Sequence, residues 1–375
     1  MIVLKLALAV LSFVVVLQTA LSFVRSRAWW VRIFDFPRAQ IAALSAFLLV
    51  AFGLANVGFE DAKPWEWVLF ALLGLSVAIQ TAQMLPYTRC WRYQSPKAKP
   101  ASADAPRLRV VISNVCMQNR AFNRWLEVMR EPAPDLIIAV EIDRAWVDAL
   151  EPLHADYPHR ILCPQDNTYG VALYSRFPLE SSKIEHLIEN DVPSVFTTLM
   201  LPSGDRVRCV VLHPRPPRPD IRQDSDFRDA ELVRAAQIVR DFHSPFIVAG
   251  DLNDVAWSHT THLFQRIVGA LDPRIGRGIF ATFHTRHRWM RYPLDHLFHS
   301  EHFAVAQLQR LPDVGSDHFP IFIELVLQPE TAKEAPTPQS DPTDEEQAAE
   351  AVQDAVEHRE SETPAERHDR KSADR

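Results

Sequence analysis

Glycine and cysteine are scarce in this chain, with ten and four among 375 residues. The closest glycine pair, Gly276 and Gly278, lacks the rest of any phosphate-cradling motif, so a P-loop and a dinucleotide-binding turn are excluded. Cys90, Cys116, Cys163 and Cys209 have neither metal-ligand spacing nor the density of a disulfide framework, and they read as small hydrophobes. No internal repeat is visible, which excludes a solenoid or a propeller. Excess positive charge is also missing. Residues 107–328 carry 24 basic and 28 acidic side chains, which argues against tight nonspecific binding to duplex nucleic acid through many phosphate contacts.

What is present is unevenly spread. Ile2 to Val24 is almost uncharged apart from Lys5, and similar apolar stretches run from Ile41 to Phe59 and from Trp65 to Leu85. Each is long enough to cross a hydrocarbon core of about 30 Å. The first stretch alone has the length of a signal peptide, but two more spans follow, and three transmembrane helices within a membrane domain at 1–94 are the expected reading. Trp29, Trp30, Trp65, Trp67, Tyr87 and Trp91 flank the spans, as interfacial aromatic rings do. Arg25, Arg27, Arg32 and Arg38 lie between the first two spans, and Arg89, Arg92, Lys97 and Lys99 follow the third. Only Glu60, Asp61 and Lys63 separate the second from the third. The positive-inside bias therefore predicts an integral protein of the inner or plasma membrane, with its N-terminus outside and everything after Leu85 in the cytoplasm.

Residues 95–106 are rich in Pro, Ala and Lys and read as a linker. The C-terminal stretch 329–375 holds 14 acidic and 6 basic residues with almost no large apolar ones, and it is expected to be disordered. Between them, 107–328 alternates short apolar runs with turn residues. Strands are expected at Leu108 to Ser113, Leu136 to Val140, Gly170 to Ser175, Ser194 to Leu201, Val207 to His213, Phe246 to Ala249, Leu294 to Phe298, Val305 to Leu311 and Pro320 to Val326. Helices are expected at Asn123 to Glu131, Ala145 to Leu153, Phe227 to Phe242 and Thr260 to Val268. Many strands with few long helices imply a two-sheet α/β sandwich rather than a doubly wound parallel sheet.

Five polar clusters each follow an apolar run of strand length. They are Asn114 in VVISNVCMQN, Glu141 in PDLIIAVEID, Asp251 and Asn253 in PFIVAGDLND, Asp295 in YPLDHLF, and Gly315, Ser316, Asp317 and His318 in GSDH. Acids and amides gathered at strand ends suit a rigidly held cation. Glu141 is an oxygen ligand fit for Mg²⁺ (or Mn²⁺), Asn114 adds a neutral oxygen, and Asp317 completes the candidate metal set, in which Asp295 is also counted. Asp251 and Asn253 point to one side if the strand runs through both, so that one orients a water while the other holds a phosphate oxygen. His318 is a candidate donor to the phosphate. This is the equipment of metal-assisted phosphodiester hydrolysis.

Asn114, Glu141, YGVALYSR from Tyr169 to Arg176, His213, GDLN, LDH and GSDH occur in the order seen in the endonuclease/exonuclease/phosphatase superfamily, which the region from Arg107 to Leu327 resembles. The resemblance implies the deoxyribonuclease I fold. It further implies that Asp251 positions or activates the nucleophile and that Asp295 orients His318. His213 matches a histidine of the deoxyribonuclease I and sphingomyelinase branches and becomes a candidate general acid. Tyr169 instead matches a tyrosine of the exonuclease III branch that meets the phosphate. Cys116 departs from some repair nucleases, which place an aspartate there.

Other clusters carry less. His284 with His287, and His259 with His262, have spacings that suit zinc but no third ligand nearby. Arg215, Arg218, Arg222 and Arg228 read either as guides for an anionic substrate or as part of a solvated loop. Trp257 reads as core or as a stacking platform. The leading expectation is a membrane-anchored phosphodiesterase acting on DNA or RNA. The alternatives are the same chemistry on a phospholipid or inositol-phosphate head group, and a non-catalytic membrane scaffold.

Overall fold

The computed structural model describes residues 2–24, 26, 28–57, 63–99, 105–217, 224–330 and 337–363. Helices α1 (Ile2–Leu21), α3 (Arg38–Val57) and α4 (Pro64–Met84) are each long and apolar enough to cross a membrane. They pack together through a buried polar cluster. The Thr19 hydroxyl lies 2.6 Å from that of Ser76, Ser76 lies 2.9 Å from Ser45, and Gln80 donates to Thr19 at 3.2 Å. Small hydroxyl residues of this kind let apolar helices approach closely and add directional contacts between them. The short helix α2 (Trp29–Arg32) and a 3₁₀ turn at Ile33–Asp35 lead from α1 toward α3.

Among the described residues eleven strands form two sheets. The first has the order β10 (Phe303–Arg310), β11 (Ile321–Leu327), β1 (Arg107–Asn114), β2 (Leu136–Val140), β4 (Val171–Ser175), β3 (His159–Cys163). The second has the order β5 (Leu179–Glu185), β6 (Ser194–Met200), β7 (Arg206–Val211), β8 (Phe246–Asp251), β9 (Asp295–His299). β1 runs parallel to β2, and β7 runs parallel to β8, while the flanking pairs are antiparallel. This is the expected two-sheet α/β sandwich.

Val110, Ile112, Ile138, Val140, Leu199, Val211, Ile247, Ala249 and Ile323 fill the space between the sheets. On the outer face of the first sheet, α5 (Phe122–Arg130) and α6 (Arg144–Ala149) bury Trp125 and Trp146. On the outer face of the second, α7 (Asp226–Val239) and α8 (His259–Val268) bury Leu232, Val233, Leu263 and Phe264. Central strands covered on both faces read as continuous apolar runs, which is why LIIAV and FIVAG carry so clear a signal.

Two expectations are corrected. The stretch from 95 is not a free linker where it is described. Ser95 is buried with its hydroxyl 2.8 Å from His299, and Val305 donates its amide to the Pro96 carbonyl, so the chain is tied along the edge strand β10. The acidic C-terminal stretch is not disordered throughout, since Pro342–Ser361 forms helix α9. Asp341 caps that helix, Ala348 and Ala355 bury themselves against α7 and α8, and Asp344 accepts two bonds of 2.8 Å from Arg266. Small apolar residues and external basic partners replace the large side chains the sequence lacks. Residues 331–336 and 364–375 lie outside the described residues.

Candidate active site

The ends of β1, β2 and β8 and the start of β9 bring the polar clusters to one edge of the sandwich. Asn114 ends β1 opposite Val140, so Glu141 emerges beside it. Glu141 adopts φ +63°, a left-handed conformation that costs a non-glycine residue about 1–3 kcal/mol and persists where its surroundings over-determine it. The Asn114 amide nitrogen donates to Glu141 Oε1 at 2.8 Å and to Asp251 Oδ2 at 3.0 Å, so one side chain joins the two sheets. Its oxygen accepts the Cys116 backbone N–H at 2.9 Å, which fixes the orientation of the amide. Asn114 thus presents its nitrogen to the carboxylates, not the ligand oxygen expected from sequence.

Close backbone approach makes this geometry possible. At Gly250, with φ +144°, an added Cβ would lie 1.9 Å from the Leu212 carbonyl oxygen, and at Gly170 it would lie 1.8 Å from that of Ile142. Only glycine lets β8 press against the chain leading to His213, and lets the Tyr169 turn press against the segment carrying Glu141.

Asp251 and Asp295 face each other across β8 and β9. His318 Nδ1 lies 2.7 Å from Asp295 Oδ2, and its Nε2 lies 3.5 Å from Asp251 Oδ2. Burial alone would depress the imidazole pKa, but Asp295 and Asp251 overcome it and raise it to about 10, so His318 is an imidazolium at neutral pH. Burial pushes the Asp251 carboxyl up, and the His318 charge opposes that shift. The GSDH turn is fastened to β1 by Ser316, whose hydroxyl donates to the Asn114 carbonyl at 2.8 Å.

The donor set fits a hard divalent cation at Glu141. This carboxylate is half-buried, its hydrogen-bond donors are the Asn114 amide and the Met117 N–H, and among the described residues no basic side chain is bonded to it. Burial, aided by Asp317, pushes its pKa up to about 7, the condition of a carboxylate in need of a countercharge. Asp251, Asp295 and His318 also present ligand-type atoms within 4.8 Å of one another. There, however, the imidazolium already offsets the carboxylates, and Asp295 is engaged in orienting it.

The remaining expected residues lie close by. His213 is buried, with its ring centroid 5.5 Å from that of Tyr169. Burial drives its pKa down to about 4, with His318 and Arg215 adding to the effect against Asp251, so the ring is neutral at pH 7. Asp317 is half-buried, and its backbone carbonyl accepts from Thr285 at 2.8 Å. Asn253 does not continue β8. It sits at φ +51°, donates its backbone N–H to Asp251 Oδ1 at 2.9 Å and its amide to the Pro214 carbonyl at 3.0 Å. A turn closed by Asp251 has replaced the extended strand.

Of the basic residues read as substrate guides, Arg215 is buried against Glu189 and Asp191, and Arg228 is buried against Asp229. Arg218 and Arg222 lie outside the described residues. Trp257 is core, donating its indole N–H to the Asp35 carbonyl at 2.7 Å. Sequence reasoning missed a layer of support behind the site. Arg274 spans Asp272 and His296, and His296 Nε2 lies 2.9 Å from the Asp254 carbonyl oxygen. Arg228 donates to the Asn253 carbonyl at 3.0 Å. The histidine of LDH next to Asp295 was the one available signal.

Two mixed sheets with flanking helices and this constellation at their strand ends define a phosphoesterase-type α/β sandwich. The chain belongs to the endonuclease/exonuclease/phosphatase family, whose sequence model matches residues 112–318. Among solved structures, the human Nocturnin catalytic domain with bound sulfate is 20% identical, covering 60% of this chain and 96% of that one at a TM-score of 0.49. An endonuclease/exonuclease/phosphatase protein from Bacteroides vulgatus is 16% identical, covering 59% and 99% at 0.49. D. rerio TDP2 complexed with a single-strand DNA product is 15% identical, covering 58% and 98% at 0.48. No curated protein matches the chain.

Proposed function

We propose that this chain is a membrane-anchored, metal-dependent phosphodiesterase with a nucleic-acid strand as its first substrate class. The observation that carries the reading is the unbroken series Glu141, Asn114, Asp251, His318, Asp295, each bonded or ion-paired to the next across two sheets. Glu141 and Asp317 would hold a Mg²⁺ or Mn²⁺ ion, which would supply charge stabilisation to the phosphate. Asp251, whose proton affinity burial raises, takes a proton from the attacking water. His318, already charged, donates Nε2–H toward the phosphate, and Asp295 holds the ring in that orientation. Tyr169, 5.5 Å from His213 ring to ring, and Asn253, on the turn closed by Asp251, are assigned to position the phosphate. His213 is neutral at rest. The negative charge of a bound phosphate raises its pKa and readies it to protonate the leaving oxygen.

The rim supports a polyanionic substrate. Phe283, whose ring lies 5.0 Å from that of His318, begins a loop carrying exposed Arg286 and Arg288 and a Trp289 that is 84% exposed. Guanidinium groups beside an exposed indole suit a single strand, which binds by charge and base stacking. One contact favours the head-group reading as the second. Gln40, in the first turn of α3, donates its side chain to the Trp289 carbonyl, which sets this rim beside the start of an apolar span.

Anchoring through α1, α3 and α4, with the catalytic region cytoplasmic, is part of the proposal. Its support is the basic flank at one end of the helices and the Lys5–Glu66 pair, 3.4 Å apart, joining α1 to the first turn of α4 at the other. The test is a substrate panel with the full chain in lipid nanodiscs: single-stranded DNA, RNA, sphingomyelin, a phosphoinositide and a chromogenic diester, each with Mg²⁺ or chelator. Chelator-sensitive hydrolysis of nucleic acid is expected. Hydrolysis of a lipid alone transfers the reading to the head group, and no diester hydrolysis on the whole panel overturns it.

A further inference from the structure

The segment between α1 and α3 and the turn that follows α4 are built into the catalytic region. Trp257 and Tyr87 stack edge to face at 5.7 Å, Phe36 meets Tyr292 at 5.5 Å, and the Tyr87 hydroxyl donates to the Ala256 carbonyl at 2.6 Å. Behind these rings lies a buried ionic network. Arg32 reaches Asp35 at 3.3 Å, Asp229 at 3.5 Å and Asp254 at 3.8 Å, and donates to the Thr260 hydroxyl at 2.7 Å. Arg38 pairs with Asp35 at 2.8 Å. Arg228, in the first turn of α7, pairs with Asp229 at 2.8 Å and Asp254 at 3.5 Å. Arg32, Arg38 and Arg228 thus offset Asp35, Asp229 and Asp254, and all six are buried.

The network ends at the active site. Arg228 is 1% exposed, and the guanidinium nitrogen not committed to Asp229 donates to the Asn253 carbonyl at 3.0 Å. Asn253 stands at φ +51° with its N–H on Asp251. A left-handed residue of this kind keeps its conformation only while its neighbours enforce it. Without Arg32 and the segment carrying it, Arg228 would face two carboxylates alone and would be drawn from the Asn253 carbonyl toward them.

We propose that Arg32 is a positioning residue for the Asp251–Asn253 turn, acting through Asp229, Asp254 and Arg228, so that the segment preceding α3 is a structural part of the catalytic site and not only a tether. The proposal rests on the phosphodiesterase reading for its kinetic consequence, but its structural consequence is separate.

The test uses the full chain in nanodiscs, with a chromogenic diester and Mg²⁺. Arg32→Ala is expected to lower kcat about tenfold with KM within about twofold of wild type, the signature of a misplaced group rather than lost substrate binding. Arg32→Lys, which keeps the charge, should restore part of the loss. Because Arg32 acts through the turn, Arg32→Ala should cost nothing further in an Asn253→Ala background, whereas a general loss of structure would multiply. Amide exchange across Leu252 to Asp254 should quicken in Arg32→Ala whatever the substrate. Should that variant fail to fold, Thr260→Val, which removes only the 2.7 Å anchor of Arg32, carries the same measurements. Wild-type kcat and unchanged exchange in the folded variants overturn the proposal. Glu141→Gln separates the two readings. If it is as active as wild type, the chemistry is wrong and exchange alone decides the coupling; if it is inactive while the Arg32 variants match wild type, only the coupling fails.

Discussion

A single amide nitrogen, that of Asn114, holds Glu141 and Asp251 in one site, although these carboxylates come from different sheets and serve different ends. Among the described residues Glu141 has no bonded basic partner, whereas Asp251 shares the His318 charge with Asp295. Glu141→Gln and Asp251→Asn should each lower turnover at least about a hundredfold, roughly 2.7 kcal/mol of barrier, without unfolding the chain. Kinetics and a thermal melt of each variant check this. Activity near wild type in either one removes that residue from its role. The two histidines should differ in kind. His213→Ala is expected to hurt most on a diester with a poor leaving group and to be partly rescued on an activated aryl diester, because proton delivery matters only in the first case. His318→Ala should show no rescue, and equal losses for His213→Ala on both substrates would take it out of the general-acid role. Asn114, Glu141, His213 and Asp251 were legible because each terminates an apolar run, and Asp295 and His318 because their short polar motifs stand at the start of β9 and just before β11. Their bonding was not, since the capture of the Asn114 oxygen by Cys116 and the turn at Asn253 depend on backbone geometry that leaves no mark in residue type.

At the scale of elements, strands buried on both faces were found within a residue or two, as LIIAV and VALYS show. The outer strands β3 and β5 were missed. β5 reads LESSKIE, mostly exposed and polar, and takes its conformation from pairing with β6 rather than from its own pattern. Helix α9 was missed for a related reason. Its burial uses Ala348 and Ala355, and its charges find partners far away in sequence, with Arg240 bonded to Glu345 and Arg359 to the Ile188 carbonyl. Deleting 342–375 should therefore lower the melting temperature of the full chain. The size of that drop should depend on pH. The His358 pKa is raised, chiefly by its hydrogen bond to Asp226, so its contribution is complete below the unfolded value near 6.5 and fades as pH rises through the higher folded value. The truncation should thus cost more at pH 6 than at pH 9, and His358→Gln should flatten that difference. An equal melting temperature with and without the tail would mean that α9 does not dock in solution.

Over the whole molecule, composition separated the apolar N-terminal quarter from the sandwich, but it could not show that the two are fused through Arg32, Asp35, Tyr87 and Trp257, because contacts between distant segments follow from the fold and not from local pattern. That fusion fixes which helix ends face the site. The end of α1, the start of α3 and the end of α4 all meet the catalytic region, while Lys5, Glu66 and Lys63 lie at the opposite end. If the three apolar helices cross a membrane, the basic residues at the catalytic end predict a cytoplasmic active site. The native cysteines offer a direct check, since Cys90 is exposed and follows the third span. In intact cells a membrane-impermeant thiol reagent should leave the wild-type chain unlabelled and should label a Lys63→Cys variant. Opening the membrane should then expose Cys90. A cytoplasmic site faces DNA, RNA and inner-leaflet lipids with Mg²⁺ at hand. Labelling of wild-type Cys90 from outside, with Lys63→Cys protected, would invert the topology, remove intracellular nucleic acid from consideration, and move outer-leaflet lipid or extracellular DNA to first place.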